Sequence, residues 1–129
     1  MSAVDRLLAE ARRVLRRVDP AEAARIAGEG GLLIDIRPAA QRAEFGAIPG
    51  ALVVERNDLE WRLDPYGAHR IPEAADPDRP VVVICQEGYA SSLAASSLLR
   101  IGRAAATALD GGFAAWKGAG YPTVGGPGA

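Results

Sequence analysis

Apolar side chains recur at three- and four-residue spacing over Val4, Leu7, Leu8, Ala11, Val14, Leu15 and Val18, interleaved with Arg6, Arg12, Arg13, Arg16 and Arg17. That period predicts one amphipathic helix with a buried stripe and a basic, solvated face. Asp19 is a good N-cap and Pro20 suits a first helical position, so a second helix is expected over 21–27, ended by Gly28, Gly30 and Gly31. The pattern then changes character. Leu32, Leu33, Ile34 and Ile36 form an apolar run broken only by Asp35, which suits a strand covered on both faces. Similar runs at 51–54 and 105–109, and the β-branched run at 81–84, predict three more strands. Short helices are expected from Pro38 to about 44, from 57 or 58 to 63, over 90–101 and over 113–119, with the proline-rich stretch 64–80 as a long loop. Strands alternating with helices imply a parallel sheet with helices on both faces and right-handed crossovers.

Composition narrows the function classes. A chain of 129 residues fits one domain with one compact fold. The balance of 15 Lys+Arg against 16 Asp+Glu removes the electrostatic footprint of a general nucleic-acid binder, so no nucleic-acid partner is expected. The basic face of the first helix is the strongest charge cluster; a solvated surface is its plain reading, and docking to a membrane or an acidic partner is the sharper one. One cysteine, Cys85, and one histidine, His69, exclude an internal disulfide and leave no ligand set for a structural metal. The longest wholly apolar run, from Val81 to Cys85, is too short to span a bilayer, and the first residues carry no apolar leader. A cytoplasmic location is the expectation.

Candidate chemistry collects at Cys85. In parallel α/β sheets, sites lie beyond the carboxyl ends of the strands, and Cys85 closes the strongest predicted strand, just before a glycine-containing loop and a helix start. Unpaired backbone N–H groups and the helix dipole favour an anion there, so a thiolate nucleophile and an anionic substrate both suit the position. Gly88 lets the loop curl around the sulfur, and Ser91 and Ser92 offer hydroxyl groups in the first helical turn. A small apolar cysteine buried at a strand end is the competing reading of the same pattern.

Four ordered segments carry a family resemblance. They are Asp35-Ile36-Arg37; Glu44-Phe45-Gly46-Ala47-Ile48-Pro49-Gly50-Ala51; Val82 through Ser92 with Cys85-Gln86-Glu87-Gly88-Tyr89-Ala90-Ser91 at its centre; and Gly111-Gly112-Phe113-Ala114-Ala115-Trp116-Lys117 with Gly120-Tyr121-Pro122. Together they resemble a single-domain rhodanese. The resemblance implies a rhodanese-like α/β fold, a five-stranded parallel sheet with helices on both faces. Residues 18–124 would form that domain, residues 1–17 an added amphipathic basic helix, and residues 125–129 a flexible tail.

The resemblance also implies sulfane-sulfur transfer through a Cys85 persulfide, from a small sulfur donor such as thiosulfate to a thiol, cyanide or protein acceptor, with no metal or organic cofactor. Gln86, Glu87, Gly88, Tyr89, Ala90 and Ser91 would form the substrate-binding loop, with Asp35 and Arg37 as a supporting polar pair. Two departures stand out. The loop lacks the cation common in thiosulfate-using members and holds Glu87 instead, and the common histidine before Ile-Pro-Gly is Ala47. Among Arg42, Arg56, Arg62 and Arg70, Arg56 is the preferred source of positive charge. His69 reads as a surface loop residue, Trp116 as a packing residue, and Trp61 and Tyr66 as the candidates for a substrate rim. A related phosphatase would need an arginine six positions after the cysteine, where Ser91 stands. The more serious alternative is a rhodanese-like module without enzymatic activity, which binds partners or carries sulfur.

Overall fold

The computed structural model describes residues 1–126. Helix α1 (Ala3–Val14) begins in a reciprocal cap, with the Asp5 N–H donating to Ser2 Oγ and the Ser2 N–H donating to the Asp5 carboxylate. It ends at Val14 and does not run through Val18 as its apolar period suggested. Leu15 turns extended (φ −96°, ψ 133°), and Arg16–Val18 form strand β1. The physical reason is tertiary. The Arg16–Val18 backbone pairs in parallel with Thr107, Ala108 and Leu109 of β5 (Ala106–Leu109), and the extended chain sends Leu15 and Val18 to opposite sides of the sheet.

The remaining elements follow the expected alternation. Helix α2 (Pro20–Gly28) is capped by the Asp19 side chain, which accepts from the Glu22 N–H at 2.8 Å. Strand β2 (Leu32–Asp35), helix α3 (Ala39–Phe45) and strand β3 (Leu52–Val53) come next. A 3-10 turn, Arg56–Asp58, runs into α4 (Leu59–Leu63), and a second, Pro72–Ala74, lies within the long loop. Strand β4 (Val81–Ile84), helix α5 (Ala90–Arg100), β5 and helix α6 (Gly112–Gly118) complete the chain. The five strands are parallel in the order β1-β5-β4-β2-β3, and β1 supplies the fifth strand that the apolar runs did not reveal. No helix among the described residues is long and apolar enough to cross a membrane.

The sheet separates two apolar layers, and β4 feeds both. Val81, Val83 and Cys85 face the layer containing Leu15, Leu59, Leu63, Ala94, Ala95 and Leu98, from α4, α5 and the end of α1. Val82 and Ile84 face Val18, Ile26, Phe113 and Trp116, from β1, α2 and α6. A central strand buried on both sides explains why 81–84 read as one continuous run. It also holds Cys85 at the edge of a packed layer whose side chains have little freedom to move. Trp116 packs as expected, donating its indole N–H to the Pro122 carbonyl at 2.8 Å. Val124 bridges to Ala47, and of the expected tail at 125–129, residues 127–129 lie outside the described residues.

Arg103 anchors the long loop. Its fully buried guanidinium donates to the carbonyls of Leu63, Ala74, Asp76 and Arg79 at 2.9 to 3.3 Å. Burial pulls its pKa below the ordinary arginine value, and the four carbonyl dipoles hold the charged group in place. Arg103→Met keeps much of the volume and orphans those carbonyls. It is expected to lose about 3 kcal/mol in urea unfolding; a variant as stable as the parent would contradict this account.

Candidate active site

Cys85 leaves β4 with its side chain 5% exposed, and the loop behind it wraps the sulfur. The Gly88 N–H donates to Sγ at 3.0 Å and the Ser91 N–H at 3.3 Å, while Ser91 Oγ lies 3.2 Å away. Gly88 adopts φ +92°, and a Cβ there would stand 2.8 Å from the Gly111 nitrogen, so the curl needs glycine on both counts. Among the described residues, the N–H groups of Gln86, Glu87, Tyr89 and Ala90 have no acceptor in the protein. A negative charge on or just beyond the sulfur would therefore meet several donors. In front lies a pocket of about 760 Å³, to which Arg37, Glu55, Arg56, Glu87 and Tyr89 contribute.

The loop's carbonyls are bound from outside. The Phe113 N–H donates to the Cys85 carbonyl at 2.8 Å and the Ala114 N–H to the Gln86 carbonyl at 3.0 Å. Such close approach is possible because Gly112 has no side chain; a Cβ would fall 2.5 Å from the Cys85 oxygen, at φ +63°. The paired glycines are thus more than the tight turn read from sequence. Two residues beyond the end of β2, Arg37 forks onto the Asp35 carboxylate, with Nε 3.0 Å from Oδ1 and Nη2 2.8 Å from Oδ2. It also donates to Gln86 Oε1 at 2.9 Å and the Gly46 carbonyl at 2.8 Å, with its guanidinium 4.1 Å from the centre of the Phe113 ring. This buried pair ties the start of the loop to the end of β2.

Cys85, Gln86, Glu87, Tyr89, Ala90, Arg37 and Arg56 all line the pocket, while Gly88 and Ser91 hold the sulfur from the loop itself. Arg56 is tied to Glu60 at 2.8 and 2.9 Å. Partial burial works against the Glu60 carboxylate, but hydrogen bonds from Ser97 and Arg56 outweigh it and hold its pKa below the ordinary value. Arg42, Arg62 and Arg70 bond to backbone carbonyls and do not line the pocket, nor do Trp61 and Tyr66. His69 is exposed in the long loop, as expected. Ser92 serves the loop rather than the sulfur, its hydroxyl donating to the Gly88 carbonyl at 3.2 Å.

Sequence reasoning missed Glu55, the carbonyl contacts of α6, and Arg12. The charge pattern places Arg12 on the solvated face of α1, yet it is half-buried against the loop, with Nε 3.0 Å from Ser92 Oγ and Nη2 3.0 Å from the Gly88 carbonyl. A signal was present in the spacing: Leu8, Ala11, Arg12 and Leu15 follow the i, i+3, i+4, i+7 pattern of one helix face.

A model of the rhodanese-like domain matches residues 19–119. The thiosulfate sulfurtransferase GlpE of Pseudomonas savastanoi pv. phaseolicola is 32% identical over 107 residues, covering 83% of this chain and 91% of the relative. A protein of unknown function from Rhodopseudomonas palustris CGA009, described as a possible tyrosine phosphatase, superposes with TM-score 0.86 at 28% identity over 96% of both chains. A thiosulfate sulfurtransferase from Pseudomonas aeruginosa superposes with TM-score 0.68 at 28% identity, over 88% of this chain and 20% of that one.

Gly112→Ala is expected to destabilise the protein by roughly 2–4 kcal/mol in urea unfolding, because its Cβ must displace backbone. Gly118→Ala, in α6 with open space around it, is the control and should be neutral or slightly stabilising. Equal stability of the two variants would refute the close-approach argument.

Proposed function

The chain belongs to the rhodanese-like family, and from that premise we propose that it is a sulfurtransferase working through a persulfide on Cys85. The observation that carries this reading is the inward convergence of Gly88 N–H, Ser91 N–H and Ser91 Oγ on one cysteine sulfur at the head of an open pocket. In the first step the thiolate attacks the outer sulfur of the donor. With thiosulfate, the sulfur–sulfur bond breaks, sulfite leaves with the bonding electron pair, and the negative charge passes to the new outer sulfur. In the second step cyanide or a thiolate attacks that sulfur, giving thiocyanate or a new persulfide and returning the Cys85 thiolate. Charge is conserved in each step and no external oxidant is consumed. The unpaired N–H groups of Gln86, Glu87, Tyr89 and Ala90 are suited to hold the outer sulfur or the leaving anion. The residues expected in the catalytic and binding roles are therefore Cys85 and the loop 86–91, with Asp35 and Arg37 as buried support.

The pocket's charge bears on the donor. Arg37 is paired with Asp35 and Arg56 with Glu60, whereas Glu55 and Glu87 face the pocket as well. A dianion such as thiosulfate enters against those carboxylates, which favours a persulfide donor of lower negative charge and a thiol or protein acceptor. A free thiol that cycles through persulfide also suits the reducing, cytoplasmic setting expected from the sequence.

The description of the Rhodopseudomonas palustris protein as a possible phosphatase raises a second reading. Phosphoryl transfer by this type of loop calls for a guanidinium within it, and Ser91 occupies that position with its hydroxyl 3.2 Å from Sγ. The geometry favours sulfur transfer.

Incubation of the protein with thiosulfate and with low-molecular-weight persulfides, followed by intact-mass measurement, is expected to add one sulfur atom, and Cys85→Ser is expected to abolish both loading and transfer. Failure of every donor to load Cys85 would leave the partner-binding module as the better reading. Glu87→Lys should raise kcat/KM for thiosulfate by on the order of tenfold at low salt, with the gain shrinking as salt is added. No gain at low salt would remove Glu87 as the barrier to a dianionic donor.

A further inference from the structure

Arg12 precedes the residues matched by the family model, yet its side chain reaches the active loop. Its guanidinium bridges two acceptors, Ser92 Oγ and the Gly88 carbonyl, each at 3.0 Å, and lies 5.7 Å from the centre of the Tyr89 ring. Because Ser92 Oγ also donates to the Gly88 carbonyl, that one oxygen is held by two donors. Among the described residues, two guanidiniums are hydrogen-bonded to the loop. Arg37 is neutralised by Asp35, whereas Arg12 forms no ion pair among the described residues.

The peptide that Arg12 grips is the useful one. Its carbonyl is turned outward to the guanidinium, and in a trans peptide the N–H of Tyr89 points the opposite way. That N–H is among those without an acceptor in the protein, and Tyr89 lines the pocket. The fork holds both the carbonyl and Ser92 in one geometry, and a lysine ammonium in its place keeps the charge and one of the two contacts.

We propose that Arg12 is a positioning residue of the sulfur-transfer site. It locks the Gly88–Tyr89 peptide with its N–H toward the reacting sulfur and places an uncompensated positive charge behind a loop that has no cation of its own. Helix α1 is then part of the site and not an appendage to it. The inference rests on the sulfurtransferase reading, and its test includes a readout that does not.

Cys85 is the only cysteine, so the rate of its alkylation by iodoacetamide at neutral pH, followed by intact mass, reports this one sulfur. Arg12→Met is expected to lower both that rate and the kcat of sulfur transfer by about tenfold, with KM little changed. Arg12→Lys, which restores charge and one contact, should recover at least half of the logarithmic loss. Arg13→Met, on the exposed side of the same helix, should match the parent. If Arg12→Met fails to unfold cooperatively on heating, Arg12→Gln takes its place as the uncharged variant. Parent-like alkylation and kcat in the uncharged variant, or a loss that lysine does not recover, would overturn the proposal. If the parent accepts sulfur from no donor while alkylation still follows the charge at position 12, the sulfur-transfer reading fails and the role of Arg12 stands.

Discussion

A short loop can turn its N–H groups inward onto one sulfur atom only if its carbonyls find partners outside it. Each carbonyl left in a partly buried position without a donor costs free energy comparable to a lost hydrogen bond. The cradle around Cys85 therefore depends on its outer face. Phe113 and Ala114 of α6 bind the carbonyls of Cys85 and Gln86, Arg12 and Ser92 bind that of Gly88, and the Ser92 N–H binds that of Tyr89. Gly112 allows α6 to come close enough, and Arg37 fixes the Gln86 side chain against Asp35. The cradle around the sulfur is made of main chain, and Arg12 of α1, Arg37 just beyond β2, Ser92 of α5 and the amides of α6 hold that main chain still.

This division explains what the sequence made legible. Strand β4 and the start of α5 announce themselves locally, through a β-branched run that ends in cysteine, a glycine and a helix, so Cys85 and its loop are visible without any fold. The Asp35 and Arg37 pair is legible once the family resemblance is granted. Arg12 and the α6 contacts are not, because they join residues dozens of positions apart. Position 12 gave only the weak hint of an arginine on an otherwise apolar helix face, and charge outweighs spacing when a single residue is read from pattern alone.

Strand β1 was hidden for a different reason. Leu15 and Val18 continue the three-and-four spacing of α1, and three residues are too few for alternation to compete with it. Only pairing with β5 separates the two assignments, and β5 lies near the other end of the chain. The same two apolar side chains are buried either way; what changes is that they fall into different layers, which local periodicity does not encode. Trp61 in α4 and Tyr66 in the loop that follows are exposed and do not line the pocket, and Arg103 holds both the end of α4 and that loop through the Leu63 and Ala74 carbonyls.

The outer contacts of the loop also set an order of events during synthesis. Residue 12 emerges early, the cysteine follows after most of the chain, and the α6 amides that bind the Cys85 and Gln86 carbonyls come later still. A growing chain therefore lacks the outer partners of the Cys85 and Gln86 carbonyls until α6 is made. On the sulfur-transfer reading, a product that stops before α6 carries the cysteine without the amides that hold its loop.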